Sequence, residues 1–234
     1  MLYIVGLGLD DGEVTQKGLE ALENAEKVFA EFYTNTETID LAELEEEAGK
    51  NIEKLSREEV EREDKIIGSA KETDTAFLVS GNALTATTHY DIKHRAEEKG
   101  IDVEVVHAPS IFTSIAETGL NVYKFGRTVT LPKKGEPSSI VKHIEKNDSI
   151  DLHTLVLLDI DYDASEAAEK LVSMEESLGS RKVVVLERAN LEDQNISVMK
   201  LEGAAEAEFG GTPHSIIFVG ETSHKEEEFL SAHS

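Results

Sequence analysis

Two glycines after the first apolar run are the first residues that could bind a ligand through the backbone. Gly6 and Gly8 come directly after that run, where glycine permits a tight turn and a close approach of the chain to another molecule. A dinucleotide-binding fingerprint would need a third glycine near position 11, and Asp11 stands there, with Gly12 one place later. The segment therefore predicts either a generic tight turn or a loop that faces a ligand.

A second segment, residues 80–89, is rich in small and hydroxyl side chains and again follows an apolar run. Such a turn offers backbone amides and carbonyls to a ligand, and we expect Thr85, Thr87 or Thr88 to cap the next helix. The alternative is an N-cap with no further role. Because this segment and the glycine loop hold the same place after their runs, both are expected at one edge of a sheet, facing one pocket.

A third segment of this kind is residues 107–111, which begins with His107. This histidine could contact a ligand, carry a proton or fill the core, and a place in the core is the expectation from a single sequence. A cleft between two halves of a chain is a usual place for a small-molecule site, and this segment is expected to lie at such a crease. Later loops next to apolar runs are residues 158–160, 187–190 and 211–214.

Several other kinds of chemistry are excluded or disfavoured by the residue types present. The chain has no cysteine, which excludes disulfides, thiolate zinc sites and cysteine nucleophiles. It also lacks a nucleophile elbow, a P-loop lysine and an HExxH pair. His89 and His94 are five residues apart and so do not share the helix face needed to bind one ion. We therefore expect no metal site, and the pattern alone identifies no catalytic residue.

The elements that would position these loops alternate along the whole chain. Apolar runs of buried-strand type alternate with stretches of helical period, and this alternation predicts an α/β fold with mainly parallel sheets and helices on both faces. The predicted strands lie in residues 2–9, 27–32, 75–80, 103–107, 128–131, 154–160, 183–187 and 215–219. The predicted helices are residues 15–25, 87–99, 111–118 and 164–178. A break at Pro109 predicts two α/β domains, residues 1–108 and 109–234, with the cleft between them.

The charge of the chain limits its partners. Forty-eight acidic residues against 23 basic ones give a formal net charge of −25, which disfavours binding to nucleic acid. The acidic residues are spread over helices, as in residues 43–47, 58–61, 166–169 and 226–228, and we interpret them as solvated faces. One hypothesis for the excess is a cytoplasm of high salt, in which screening removes the self-repulsion.

The amino terminus predicts a cytoplasmic protein without a membrane span. Its apolar run reaches Gly6 after five residues and has no basic region before it, which suits neither a signal peptide nor a transmembrane helix.

Lys124, Arg127, Lys133 and Lys134 are the one basic cluster of the sequence. The cluster is either a solvated turn or a docking site for an acidic protein surface or a substrate carboxylate.

Seven segments, taken in order and together, closely resemble the archaeal diphthine synthases. That family belongs to the tetrapyrrole-methylase-like, S-adenosylmethionine-dependent methyltransferases. The segments are residues 1–9, 28–34, 55–58, 86–89, 107–111, 123–126 and 152–155 with 158–160. No one motif is decisive, but the ordered set spans essentially the whole chain.

The resemblance implies two α/β domains with S-adenosyl-L-methionine bound in the cleft between them, S-adenosyl-L-homocysteine as product, and a homodimer. It implies methylation of the amino nitrogen of the 3-amino-3-carboxypropyl group on a modified histidine of translation elongation factor 2. Carried over by position, the donor-binding residues are Leu9, Asn82, Thr85, Ser110, Ile111, Leu158, Ala189 and His214.

One of these positions departs from the pattern of the family. The second loop of the family usually reads Gly-Asp, whereas this chain has Gly81-Asn82. Asparagine keeps the size and one acceptor oxygen but lacks the negative charge, a difference of about 1–3 kcal/mol beside a sulfonium cation in a partly buried site.

Methyl transfer from a sulfonium requires mainly that donor and amine be held about 3 to 3.5 Å apart, collinear and dry. We therefore expect catalysis by positioning, with His107 and His89 as candidates for the base that removes the proton. Two alternatives are a methylase of a tetrapyrrole ring of the precorrin type, which would need a large apolar cleft, and a non-catalytic protein that binds S-adenosylmethionine, which Asn82 permits.

Overall fold

The computed structural model of the chain describes residues 1–31, 39–61 and 64–233. They form two compact units, Met1–Ile111 and Phe112–Ser234, each built around its own five-stranded sheet.

The first unit contains a sheet in which every pair of neighbouring strands is parallel. Its strands are β1 (Leu2–Gly6), β2 (Lys27–Glu31), β3 (Ile52–Lys54), β4 (Thr75–Val79) and β5 (Val103–Val106), in the order β3-β2-β4-β1-β5. The helices are α1 (Gln16–Asn24), α2 (Leu41–Ala48), α3 (Arg57–Glu61), α4 (Lys65–Glu72) and α5 (Tyr90–Glu98). All carboxyl ends of a parallel sheet lie at one edge, so the loops after β1, β4 and β5 emerge side by side.

Both faces of this first sheet are covered, which explains the unbroken apolar runs of its strands. Along β1, Leu2 and Ile4 pack into one apolar cluster and Tyr3 and Val5 into another, because successive side chains of a strand point to opposite faces. The whole strand is buried.

The second unit has a mixed sheet. Its strands are β6 (Val129–Leu131), β7 (Thr154–Leu158), β8 (Lys182–Glu187), β9 (Asn195–Lys200) and β10 (His214–Phe218), in the order β6-β7-β10-β8-β9. Its helices are α6 (Ile111–Ser114), which begins at the division between the units, α7 (Ser139–Asp148), α8 (Ala164–Met174), α9 (Leu201–Glu206) and α10 (His224–Ser231). Single 3₁₀ turns lie at Ile115–Thr118, Val122–Lys124 and Glu176–Ser180.

The strand directions of the second sheet correct part of the sequence interpretation. The predicted α/β class is confirmed, and the first sheet is parallel, but only β6 and β7 are parallel in the second. The other three described pairs are antiparallel. Strands β8 and β9 are joined by the short segment 188–194, and a parallel pair would need a crossover of about a dozen residues or more.

Each of the eight predicted runs contains a strand, whereas β3 and β9 were missed. Both are edge strands, with one neighbour each. Strand β3 has only three residues, and β9 is partly exposed along its length, so neither shows a continuous apolar run. The end of the run 27–32 and the following residues 33–34 of the resemblance lie outside the described residues.

Three helix predictions need adjustment. The run 164–178 ends as a helix at Met174 and continues as a 3₁₀ turn, and the run 111–118 likewise changes to a 3₁₀ turn after Ser114. Helix α5 begins at Tyr90, later than predicted. Helix α1 is as predicted, with the Thr15 hydroxyl accepting a hydrogen bond from the Gly18 amide at 3.1 Å.

No helix within residues 1–31, 39–61 and 64–233 is both long and apolar enough to span a bilayer.

Candidate functional site

The loops after β1 and β4 are joined directly by their backbones. Gly8 donates from its amide to the Gly81 carbonyl at 3.1 Å, and the Gly81 amide donates back to the Gly8 carbonyl at 2.7 Å. A Cβ at Gly6 would lie 2.7 Å from the Gly81 oxygen and 2.9 Å from the Ala83 nitrogen. Glycine is therefore required at position 6 because two backbones meet there, a reason that neither of the two sequence-based alternatives included.

A carboxylate inside the first loop fixes its shape. The Leu9 amide donates to Glu13 Oε2 at 2.6 Å. Gly8 has a φ of +86°, and a Cβ there would lie 2.3 Å from the Glu13 Cβ. Gly12 also has a positive φ, of +78°, but a Cβ there would meet nothing within 4 Å. Of Gly8 and Gly12, only Gly8 is thus required to be glycine by the packing.

Asn82 joins the second loop to the third. Its Nδ2 donates to the Ala108 carbonyl at 3.0 Å, and its Oδ1 accepts from the Leu84 amide at 3.3 Å and from the Thr85 hydroxyl at 3.0 Å. The three strand-end loops of the first unit are therefore connected at one edge of the sheet, with Gly81 and Asn82 between the other two. The expectation that loops one and two share an edge is confirmed.

The prediction that a threonine of this loop caps the next helix is wrong. The N-cap position of α5 is His89, which makes no side-chain capping bond, and the Thr85 hydroxyl is engaged by Asn82 instead. The hydroxyl of Thr87 is buried and has no partner among the described residues.

The third loop brings His107, Ser110 and Ile111 to the same edge. His107 is exposed, which overturns the expectation of a core histidine, and its Nδ1 lies 3.2 Å from Asn82 Nδ2 and 3.3 Å from Asn82 Oδ1. Ser110 is buried, and Ile111 is the half-buried first residue of α6.

In the second unit, Leu158, Ala189 and His214 lie at one edge of the mixed sheet. Leu158 ends β7, His214 begins the neighbouring antiparallel strand β10, and His214 is paired with Glu187 at the end of β8. Ser215 pairs with Leu157, so the same register places His214 opposite Leu158. Ala189 follows two residues after the end of β8.

The side chain of His214 is committed to the protein itself. It is buried; its Nδ1 accepts from the Ala164 amide at 3.1 Å, and its Nε2 hydrogen donates to the Gly211 carbonyl at 2.9 Å. Because both ring nitrogens have backbone partners, the ring orients the start of α8 and the loop before β10, and only its backbone remains for a ligand.

Ala189 sits in a strained turn. The residues on either side, Arg188 and Asn190, have φ values of +49° and +67°. Arg188 donates three hydrogen bonds. Its amide donates to the Pro213 carbonyl at 2.8 Å, its Nε to Asp193 at 2.6 Å and a terminal nitrogen to the Thr212 carbonyl at 3.0 Å. Left-handed backbone at residues other than glycine costs of order 1–3 kcal/mol and persists where surrounding contacts enforce it.

His89 was named from the sequence as a candidate base, but its buried partner, Glu31, was missed. Glu31 ends β2 and is fully buried, and its Oε1 lies 3.9 Å from Nε2 of His89, which is 1% exposed. Burial lowers the pKa of His89 to about 4, against the opposing effect of Glu61, and the ring packs edge-on against Phe77. An acidic residue at the end of an apolar run was the available signal.

The basic cluster is partly used for internal ion pairs. Lys124 Nζ lies 3.2 Å from Glu226, and Lys133 Nζ lies 3.7 Å from both Asp161 and Glu166. No group of three or more histidine and acidic residues in the described part of the chain is arranged to hold a metal ion.

Comparison with known proteins places this arrangement in a family. The model of the tetrapyrrole (corrin/porphyrin) methylases matches residues 1–205. A diphthine synthase from Methanococcus aeolicus is 38% identical over 98% of this chain and 96% of its own length. A diphthine methyl ester synthase from Schizosaccharomyces pombe is 35% identical over 100% and 94%. A crystal structure of a diphthine synthase superposes with a TM-score of 0.93 at 33% identity, covering 100% and 95% of the two chains.

The chain belongs to the tetrapyrrole methylases, and within them to the diphthine synthases.

Membership of the diphthine synthase family makes this chain a methyltransferase and confirms the resemblance seen in the sequence. At Gly81 a Cβ would meet only the Leu9 side chain, at 3.7 Å, so the space beside this residue borders an apolar side chain. The buried Thr87 hydroxyl adds a polar group with no partner in the described residues.

Proposed function

We propose that this protein is a diphthine synthase that uses S-adenosyl-L-methionine to methylate the amino nitrogen of the 3-amino-3-carboxypropyl group on a modified histidine of translation elongation factor 2. The observation that carries the proposal is the junction of three strand-end loops through Gly8, Gly81 and Asn82, in a chain that aligns with diphthine synthases over almost its whole length. Carboxyl edges of parallel sheets are the usual ligand sites of such folds.

The proposed contacts to the donor in the first unit are Leu9, Asn82, Thr85, Ser110 and Ile111. They share one sheet edge, and Asn82 already binds Thr85 and the loop that carries Ser110. In the second unit the proposed contacts are Leu158, Ala189 and the backbone of His214, which share the corresponding edge of their own sheet.

Catalysis is proposed to be chiefly positional. When bound, S-adenosylmethionine supplies an electrophilic methyl group on a sulfonium. The task of the protein is to hold the acceptor nitrogen unprotonated and in line with that methyl group, with water excluded. The rigid junction of the three loops suits this role because it leaves little freedom to the groups that would contact the donor. When the acceptor is a primary or secondary amine, the proton released from nitrogen after the transfer passes to water or to a nearby base.

A second candidate activity is suggested by the name of one relative. The Schizosaccharomyces pombe protein is a diphthine methyl ester synthase, and an ester forms on the carboxylate of the same group. The two activities differ in the bond formed. This difference can be measured, because mild alkali cleaves an ester but not a methylated amine.

The test is incubation of the purified protein with donor and elongation factor 2 that carries the aminocarboxypropyl group, followed by intact-mass measurement before and after mild alkaline treatment. A mass gain of whole methyl units that survives alkali is the expected result. A gain that alkali removes selects the ester activity. Factor with an unmodified histidine is the control and should gain no mass.

Donor binding in calorimetry with no mass gain would contradict the proposal and select a non-catalytic binding protein. We further propose that the protein acts as a homodimer in the cytoplasm, where the translation factor works, and sedimentation equilibrium of the full chain tests the dimer.

A further inference from the structure

Asn82 and His107 form a side-chain pair at the edge of the first sheet, and a count of donors and acceptors determines which atoms face each other. Asn82 Oδ1 accepts from two donors, the Leu84 amide and the Thr85 hydroxyl, so its two lone pairs are used. Asn82 Nδ2 has two hydrogens and gives one to the Ala108 carbonyl. One hydrogen on Nδ2 remains, and His107 Nδ1 lies 3.2 Å away.

The remaining hydrogen fixes the tautomer of His107. When Nδ1 accepts from the asparagine, the neutral ring carries its proton on Nε2. The Nε2 side of the ring is then a hydrogen-bond donor and has no lone pair with which to take a proton. A carboxylate at position 82 would have the opposite effect, because it can only accept and would draw the proton to Nδ1, leaving Nε2 as a base.

We propose that Asn82 is a positioning residue that holds His107 as an Nε2–H donor, and that His107 binds a carboxylate of one of the reactants instead of removing a proton. This inference rests on the proposed function. A carboxylate beside an amino group is present on the methionine part of the donor and on the aminocarboxypropyl group of the acceptor. The Nε2–H group is suited to either, since hydrogen bonds to charged acceptors are the stronger kind.

The tautomer is tested first, without any assay of activity, by the ¹⁵N chemical shifts of the histidine rings of the full-length protein. His107→Asn identifies the resonance by its loss. The expected result is an unprotonated Nδ1 and a protonated Nε2 in the native protein at a pH where the ring is neutral, and the reverse in Asn82→Asp. A native Nδ1–H tautomer, or the same tautomer in both proteins, would overturn the proposal.

The binding role is tested with two matched variants of His107. In His107→Gln the amide nitrogen replaces Nε2 as a donor, whereas in His107→Asn the shorter amide replaces only the Nδ1 side. We measure affinity for S-adenosylhomocysteine by calorimetry and KM for the aminocarboxypropylated factor. His107→Asn is expected either to lower the affinity for S-adenosylhomocysteine or to raise the KM for the factor, by about tenfold or more. In His107→Gln both quantities are expected to stay within a few-fold of the native values.

The source of the carboxylate follows from which quantity changes. Weaker binding of S-adenosylhomocysteine assigns the carboxylate to the donor, and 5′-methylthioadenosine, which lacks that tail, should then bind both variants equally. A higher KM with unchanged S-adenosylhomocysteine binding assigns it to the protein substrate. The inference is overturned if His107→Asn changes neither the S-adenosylhomocysteine affinity nor the KM, or if both variants are impaired equally. A native protein that neither binds donor nor methylates contradicts the proposed function and leaves the tautomer result standing.

Discussion

At the scale of single residues, the candidate site depends on groups that hold loops to each other. Gly6 allows two backbones to approach, and Gly8 leaves room for the Glu13 side chain. The amide of Asn82 donates to the Ala108 carbonyl, which a carboxylate at position 82 could not do. The departure from the Gly-Asp pattern therefore has a structural consequence as well as an electrostatic one.

Gly8 and Gly12 allow packing to be separated from backbone strain. Both have positive φ, but only at Gly8 would a Cβ collide with Glu13. We expect Gly8→Ala to weaken binding of S-adenosylhomocysteine roughly tenfold or more, because Glu13 must move and release the Leu9 amide. Gly12→Ala is the control, with a stability cost of about 1 kcal/mol and nearly unchanged affinity. Calorimetry and thermal melts measure both, and equal affinities of the two variants would contradict this account.

His89 predicts a specific dependence of stability on pH. Burial lowers its pKa from 6.5 to about 4, so below pH 6.5 the unfolded chain takes up a proton that the folded chain does not. The contribution of His89 is complete above 6.5 and declines as the pH falls to about 4, by about 3 kcal/mol. Glu31 and Phe77 lie beside the ring, and Glu61 acts on it electrostatically.

Urea unfolding of His89→Gln between pH 7 and 4.5 checks this expectation. The variant should lose less stability over this range than the native protein. His94→Gln, on the same helix and with an exposed ring, should follow the native curve. Parallel curves for native protein and His89→Gln would show that the buried ring is not the source.

At the scale of elements, Glu226 connects three parts of the second unit. Its Oε1 accepts from the Asn121 amide at 2.9 Å and from His153 Nε2 at 3.1 Å, and its Oε2 accepts from the Ser223 amide at 2.7 Å. Gly220 donates to the other nitrogen of His153. The loop before the Val122–Lys124 turn, the start of β7 and the start of α10 are thus held by one carboxylate.

The interpretation of residues 226–228 as a solvated face is wrong for Glu226, which is 3% exposed, whereas Glu228 is exposed as predicted. Burial alone would raise the pKa of Glu226, but the hydrogen bonds from the Ser223 and Asn121 amides and from His153 outweigh it and lower the pKa well below its usual range. The carboxylate is therefore ionised in the folded protein at neutral pH.

We expect Glu226→Ala to reduce the free energy of unfolding by about 3–5 kcal/mol, because buried donors on Asn121 and His153 lose their acceptor. Glu228→Gln on the same helix, whose partner Lys225 is exposed, is expected to change it by less than about 0.5 kcal/mol. Denaturant unfolding at neutral pH measures both. A loss for Glu226→Ala no larger than that of the control would contradict the connecting role.

At the scale of the whole molecule, the net charge of −25 should make stability depend on salt. Self-repulsion is screened over about 30 Å at 0.01 M salt and about 3 Å at 1 M, so the free energy of unfolding should rise with KCl. Urea titrations at increasing KCl test this, since urea is uncharged. A free energy of unfolding that is as large in dilute buffer as at high KCl would contradict the hypothesis of adaptation to high salt.

A charge-reversed variant serves as the control for that titration. Glu46 and Glu47 are exposed in the last turn of α2, which has no basic residue there. Glu46→Lys with Glu47→Lys should stabilise the protein at low salt by about 0.3–1 kcal/mol per residue, through the helix dipole and reduced repulsion, and the gain should shrink as KCl increases. A gain independent of salt would point to a cause other than charge.

The sequence by itself determined the eight apolar strands, the α/β class, the family and the loops that carry the candidate site. These features are local: an apolar run of the right length forms a strand, and a loop after a parallel strand emerges at a known edge. The edge strands β3 and β9 were missed because a strand with one neighbour does not need a continuous apolar run.

Only the tertiary structure decided which polar groups are used internally. In the sequence, Glu226 resembles an ordinary surface residue, and Asn82 and His214 are expected to contact a ligand. Each nevertheless contacts protein groups far along the chain, as in the pair of Glu226 with Asn121. The exposure of His107 and the antiparallel strands of the second sheet were settled in the same way. Hydrogen bonds between distant residues depend on how strands are ordered and oriented, and residue types and spacing along one chain do not contain that information.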